Sequence, residues 1–209
     1  MSEPSLLELK RLLNRDKSLL SPLSLYGPFP GFLNVNSARQ SYYQSLVRAI
    51  VSQQLSTSAA NTIYLNLCST VKALTPEQIN DLPIETLRSS GLSFNKAQSL
   101  KELSLRVLEN KINFSSLRKK PDQDVIKDLS EIRGIGPWTA QMFLLFKLGR
   151  LDVLPTTDLG IQEGIRILDK MDCRPSPAEV NKRGALWSPL RSVGAWLMWQ
   201  IANANKDKS

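Results

Sequence analysis

Leu129–Asp158 reads LSEIRGIGPWTAQMFLLFKLGRLDVLPTTD, and the fold turns on Gly134-Ile135-Gly136-Pro137 inside it. An apolar residue between two glycines, directly ahead of a proline, predicts a tight turn that opens a helix. Glycine supplies the positive φ angles such a turn needs. Pro137 suits a first helical position, where its missing N–H costs nothing. Backbone N–H groups and the positive end of the helix dipole then face outward together, which makes a site for a phosphate. Val125, Ile126, Leu129 and Ile132 on one side keep helical spacing, as do Ala140, Phe143, Leu144 and Lys147 on the other. The stretch is therefore helix, glycine hairpin, helix. Beyond Gly149 and Pro155, the pattern Leu159, Ile161, Ile165 and Leu168 makes Asp158 the start of a further helix, a position where aspartate caps well.

Working outward, Ser5–Arg15 is a short amphipathic helix with Leu6, Leu9, Leu12 and Leu13 on one side. Residues 21–34, rich in proline, glycine and aromatics, read as a connecting loop. A longer helix is expected from Ser37, with Leu46, Ala49, Ile50 and Gln53 on one face, and another from about Thr57. The junction SQQLST (Ser52–Thr57) sets polar Gln53 and Gln54 and apolar Leu55 where one helix hands over to the next. Read alone, Leu55 there is either core or an exposed tip. Thr75-Pro76-Glu77-Gln78 is a helix start. Gly91–Leu100 opens another helix, with Lys96 near its beginning as a candidate phosphate contact. Ser176-Pro177-Ala178-Glu179 is a capping box, and Trp187-Ser188-Pro189 opens the last helix. The elements read along the chain are helical, so the class is all-α.

The chain has 209 residues, a formal charge of +8, two cysteines and no histidine. That basic surplus permits a polyanionic partner without proving one. Cys68 and Cys173 have no metal spacing and cannot make a four-cysteine iron–sulfur cluster; two free thiols fit a reducing compartment. No run approaches membrane-spanning length and no signal peptide is read, so a soluble intracellular protein without membrane attachment is expected.

The pattern LxxIxGIGxxTA, then a Gly/Pro loop, then Asp, resembles the helix-hairpin-helix–Gly/Pro–Asp superfamily of DNA glycosylases. GIGPWTAQMFLLF and LPTTDLGI are similar to its 3-methyladenine DNA glycosylase II (alkylation-repair) branch, and the resemblance covers roughly residues 37–205. It implies two helical lobes with the active-site cleft between them: 1–36 packing on the second lobe, 37–125 carrying a minor-groove wedge, and 126–209 carrying hairpin and catalytic aspartate. It makes Asp158 the catalytic carboxylate, stabilising an oxocarbenium-like sugar or orienting water; the bare alternative is a helix cap. Trp138 stands where strand-cleaving members carry lysine, which implies a monofunctional enzyme. Trp138, Met142, Phe146 and Trp187 become candidate walls of the base pocket, each with core as its alternative; an aromatic wall suits electron-poor alkylated bases.

The same resemblance makes Gln53, Gln54, Leu55, Ser56, Lys96, Gly134, Ile135, Gly136 and Thr139 candidate DNA-binding residues. An apolar plug such as Leu55 replaces base stacking lost when a nucleotide flips out. The main-chain carbonyls of Ser130, Ile132 and Ile135 would hold a structural Na+ or K+ at the hairpin, with no other cofactor required. The partner implied is double-stranded DNA with an alkylated base or an abasic site, bound by a monomer, in the nucleus if eukaryotic and otherwise in the cytoplasm. Ser56 and Thr157 depart from residues many relatives carry. A homologue that binds abasic or damaged DNA with little or no excision therefore stands as the alternative, and a plain helix-hairpin-helix DNA-binding module as a third.

Overall fold

The computed structural model of the protein describes residues 3–32 and 40–206. Ser37, the boundary after residue 36 and the end of the C-terminal tail lie outside the described residues; the helix of Leu46 and Ile50, expected from Ser37, starts at Tyr42, because Ser41 is extended and caps it. Among the described residues every regular element is helical. The chain divides by its packing into two units, Met1–Leu33 with Leu144–Ser209, and Asn34–Phe143.

The first described helix of the Asn34–Phe143 unit is Tyr42–Ser52, whose Ser41 and Gln44 form a reciprocal capping box. Tyr43, Leu46, Val47, Ile50 and Val51 recur at three- and four-residue steps, so one face is buried along the whole helix. Helices Thr57–Thr70, Pro76–Asp81 and Phe94–Leu108 start at Ser56, Thr75 and Ser93, whose hydroxyls each accept an amide of the first turn. Thr75 and Pro76 begin their helix as their types predict. The core of this unit gathers Leu46, Ile50, Leu67, Ile79, Leu87, Leu100, Leu103 and Leu129, all with essentially no exposed surface. Its buried polar pair is satisfied internally: the Tyr43 hydroxyl and Ser104 Oγ lie 2.6 Å apart. Burial pushes the Tyr43 phenol well above its ordinary pKa, so it stays neutral. Helix Asp122–Ser130 then leads into the hairpin and helix Pro137–Phe146.

The other unit is built on helices Leu6–Arg15, Leu159–Leu168, Pro177–Gly184 and Arg191–Lys206. The loop expected over residues 21–34 is partly wrong, because Leu20–Tyr26 is a helix. Pro22 misled the reading: it sits in the first turn, where a proline forfeits no helical bond. The last helix starts at Arg191, not at Pro189; a 3-10 turn Ala185–Trp187 and a cis Ser188–Pro189 bond come first. Arg191 grips Asp152 with Nε at 2.8 Å and a second nitrogen at 2.9 Å, pinning that helix start to the loop ahead of Asp158.

Helices Leu159–Leu168 and Arg191–Lys206 touch where Gly164 faces the Met198 backbone. A Cβ on Gly164 would run into the Met198 carbonyl and Cα, and backbone cannot step aside as a side-chain end can. Gly164→Ala is expected to destabilise by about 3 kcal/mol, the upper end of ordinary overpacking costs. Urea unfolding at neutral pH checks this; a midpoint equal to the native one would show that the two helices slide apart freely.

Candidate functional site

Asp158 caps helix Leu159–Leu168, as its place in the sequence predicts. Its Oδ1 accepts the amides of Gly160 at 2.9 Å and Ile161 at 3.0 Å. It also accepts the indole N–H of Trp199 at 2.8 Å. Three donors on one oxygen fix the carboxylate plane. The Trp199 ring stacks on Phe146, centroids 5.9 Å apart with 22° between planes, and both meet Phe32 edge-on. Phe146 is 42% exposed. One unit therefore sets a half-buried, oriented carboxylate beside an accessible aromatic wall. Trp199 was missed in the sequence. It lies off the Leu190, Val193, Leu197, Ile201 face of its helix and packs half-buried against the core.

Trp187 is elsewhere. It is fully buried, and its indole N–H goes to Asp16 at 2.7 Å. It belongs to the core beside Leu12, Leu19 and Val193, in place of the pocket wall expected for it. Trp138, by contrast, is 44% exposed and is no core residue.

The Asn34–Phe143 unit carries the tip and the hairpin. Gln54 takes a left-handed φ of 56°, uncommon for a residue with a side chain. Leu55 is 39% exposed, which excludes the core alternative for it. Ser56 caps the next helix, its Oγ accepting the Ala59 amide at 3.3 Å, which leaves its hydroxyl proton to donate outward. Gln53 turns inward: its Nε2 donates to the Gly134 carbonyl at 2.6 Å and reaches Thr139 Oγ1 at 3.5 Å. Lys96 Nζ donates to the carbonyls of Val51 and Gln53, each at 2.8 Å. Partial burial lowers the Lys96 pKa from its ordinary value.

In the hairpin, the Ile135 amide closes the turn on the Ile132 carbonyl at 3.0 Å, and Ile135 packs inward with 2% exposure. Gly134 sits at φ 79°, and a Cβ there would come 2.7 Å from Ser99 Oγ, so conformation and packing both demand glycine. Around Gly136 a Cβ would meet nothing within 4 Å, so the backbone is open on that side. The Thr139 side chain is buried. A cavity of about 510 Å³ lies in this unit, lined by Ala49, Ser52, Gln53, Gln54, Gly134, Trp138, Thr139 and Met142. Trp138 and Met142, two of the expected wall residues, thus share one hollow with the tip and the hairpin.

This combination of glycine hairpin, helix and capping aspartate is that of a known family. Residues 47–189 match the family described as HhH-GPD superfamily base excision DNA repair protein. The chain belongs to that superfamily. It is 33% identical over 173 residues to DNA-3-methyladenine glycosylase 1 of Schizosaccharomyces pombe, covering 81% of this chain and 76% of the relative. It is 31% identical over 169 residues to the alkylbase DNA glycosidase-like protein mag2 of the same yeast, covering 78% and 79%. Among solved structures, the S. pombe 3-methyladenine DNA glycosylase in complex with abasic DNA matches with a TM-score of 0.81 at 31% identity, covering 92% of this chain and 95% of that one. The DNA-3-methyladenine glycosidase of Bacillus halodurans matches with a TM-score of 0.86 at 31% identity, covering 99% and 94%.

Proposed function

We propose that the protein is a monofunctional DNA glycosylase that removes alkylated purines from duplex DNA by nucleotide flipping. The observation that carries this reading is Asp158, held by three donors and flanked by the Phe146–Trp199 stack. Breaking an N-glycosidic bond builds positive charge on the sugar, and a fixed carboxylate stabilises that charge or orients the attacking water. An alkylated purine is a good leaving group, so no histidine acid is needed. Trp138 has no amine to form a Schiff base with the sugar, so the strand stays intact. Exposed Leu55, with Gln54 and Ser56 beside it, fills the gap left by the flipped nucleotide. The glycine hairpin, its backbone open around Gly136, presents the following helix N-terminus to a DNA phosphate. The Ser130, Ile132 and Ile135 carbonyls would hold a monovalent cation there; they are hard oxygen donors, and Ile132 O, already accepting one amide, keeps a second lone pair.

Product analysis tests the reading. A duplex with one alkylated purine should give free base and a strand that breaks only on treatment with alkali. Direct strand scission would contradict the monofunctional assignment. Trp199→Phe, which keeps the ring and removes the N–H, should slow the single-turnover rate about tenfold, the weight of one charge-assisted hydrogen bond. An unchanged rate would show that Trp199 only shapes the wall.

A second reading is a homologue that binds abasic or damaged DNA with little excision. The same assay separates the two.

A further inference from the structure

Gln53 and Lys96 are both directed at the protein and not at solvent. The tip holds one residue, Gln54, in the left-handed region. Such a conformation persists only where the surroundings impose it. A backbone turn closes it locally, the Leu55 amide donating to the Ser52 carbonyl at 3.4 Å, and two side-chain contacts brace that turn. Lys96 Nζ binds the carbonyls of Val51, in the last turn of helix Tyr42–Ser52, and of Gln53, its C-cap, at 2.8 Å each, where the helix dipole favours a cation. Gln53 Nε2 spans to the Gly134 carbonyl at 2.6 Å. A carbonyl only accepts, so the amide nitrogen, not its oxygen, faces Gly134. A third tie holds the Lys96 helix to the hairpin: Arg133 donates to Asn95 Oδ1 at 3.2 Å. The strained tip is therefore fastened to the hairpin by side chains that lie outside the wedge itself.

We propose that Gln53 and Lys96 are positioning residues that clamp the wedge tip to the glycine hairpin, so that Leu55 enters DNA at a fixed offset from the gripped phosphate. The proposal rests on the glycosylase reading and adds to it a role for two residues whose type suggests direct DNA contact. A lysine beside DNA would ordinarily neutralise a phosphate; this one spends two of its three donors on carbonyls. The clamp sets the distance between two contact points, so its loss harms recognition of a lesion more than general affinity.

The test measures binding to two duplexes, one intact and one with a tetrahydrofuran abasic analogue, over a range of salt. Lys96→Met keeps the aliphatic stem and Gln53→Met keeps the length; both remove the donors. Each should cut the preference for the abasic duplex about tenfold. Affinity for the intact duplex and its salt slope should stay as in the native protein. A lost phosphate contact would instead reduce the slope by about 0.9, and that result on Lys96→Met would overturn the proposal. Lys96→Gln, which keeps two N–H donors without the charge, should retain part of the preference; a slope reduced by about 0.9 in that variant would overturn it equally. Because the clamp acts through the wedge, Gln53→Met placed on Leu55→Ala should add no further loss, and additive losses would overturn it. Circular dichroism and thermal unfolding confirm that each variant is folded. A native protein that neither excises nor prefers the abasic duplex removes the glycosylase reading and the clamp together; native preference with a changed slope removes the clamp alone.

Discussion

Asp158→Asn is expected to lower the single-turnover excision rate about a thousandfold, about 4 kcal/mol of transition-state stabilisation. The substitution isolates charge from structure. Asparagine caps helices as well as aspartate. Its side-chain oxygen can accept the same Gly160, Ile161 and Trp199 donors that Asp158 Oδ1 accepts now. What asparagine lacks is negative charge to set against the sugar cation. The melting temperature should therefore move little, and affinity for an abasic duplex should hold. If the rate falls only in proportion to a loss of folded protein, Asp158 is a cap and nothing more.

Asp16→Ala carries the largest expected effect on stability, a loss of about 3 kcal/mol or more. Asp16 is 6% exposed and accepts from three residues. It pairs with Arg183, accepts the Trp187 indole at 2.7 Å, and caps the following turn through Ser18 at 3.2 Å. Removing it strands a buried indole N–H and takes one of two carboxylate partners from Arg183, which keeps Asp169 at 2.7 Å. Breaking such a buried pair from one side costs about 3–5 kcal/mol. The pH dependence follows from the same contacts. Burial alone would raise the Asp16 pKa, but the bonds from Arg183, Ser18 and Trp187 outweigh it and hold the carboxyl below its ordinary value. Its contribution is thus complete above the unfolded carboxyl's pKa, about 3.9, and is lost as pH falls through the lower folded value. Urea midpoints at pH 7 and pH 3 should show the native protein losing more on acidification than Asp16→Ala. Equal losses would place the acid sensitivity elsewhere.

The features legible in the sequence are those set by neighbours in the chain. Gly134-Ile135-Gly136-Pro137 is a turn because glycine and proline act locally, and Asp158 starts a helix because caps are read from the next few residues. Thr75 and Ser176 follow the same logic. Long-range partnerships were not legible. Nothing near Asp158 announces Trp199, and nothing near Trp187 announces Asp16, so one tryptophan was missed and another was expected at the wrong place. Lys96 and Gln53 show the same limit from the other side. Their types fit DNA contact, yet their donors end on carbonyls brought close only by the fold. Pro22 hid a helix because a proline in a first turn looks the same in sequence as a proline in a loop.

The measurement that bears most directly on the central claim is base release from methylated duplex DNA, with protein in excess and the freed purines identified by mass. Free alkylated purine should appear in a single exponential phase, with abasic sites left in equal number. No free base, together with tight and selective binding of the abasic duplex, would contradict it and leave a damage-binding protein on the same fold.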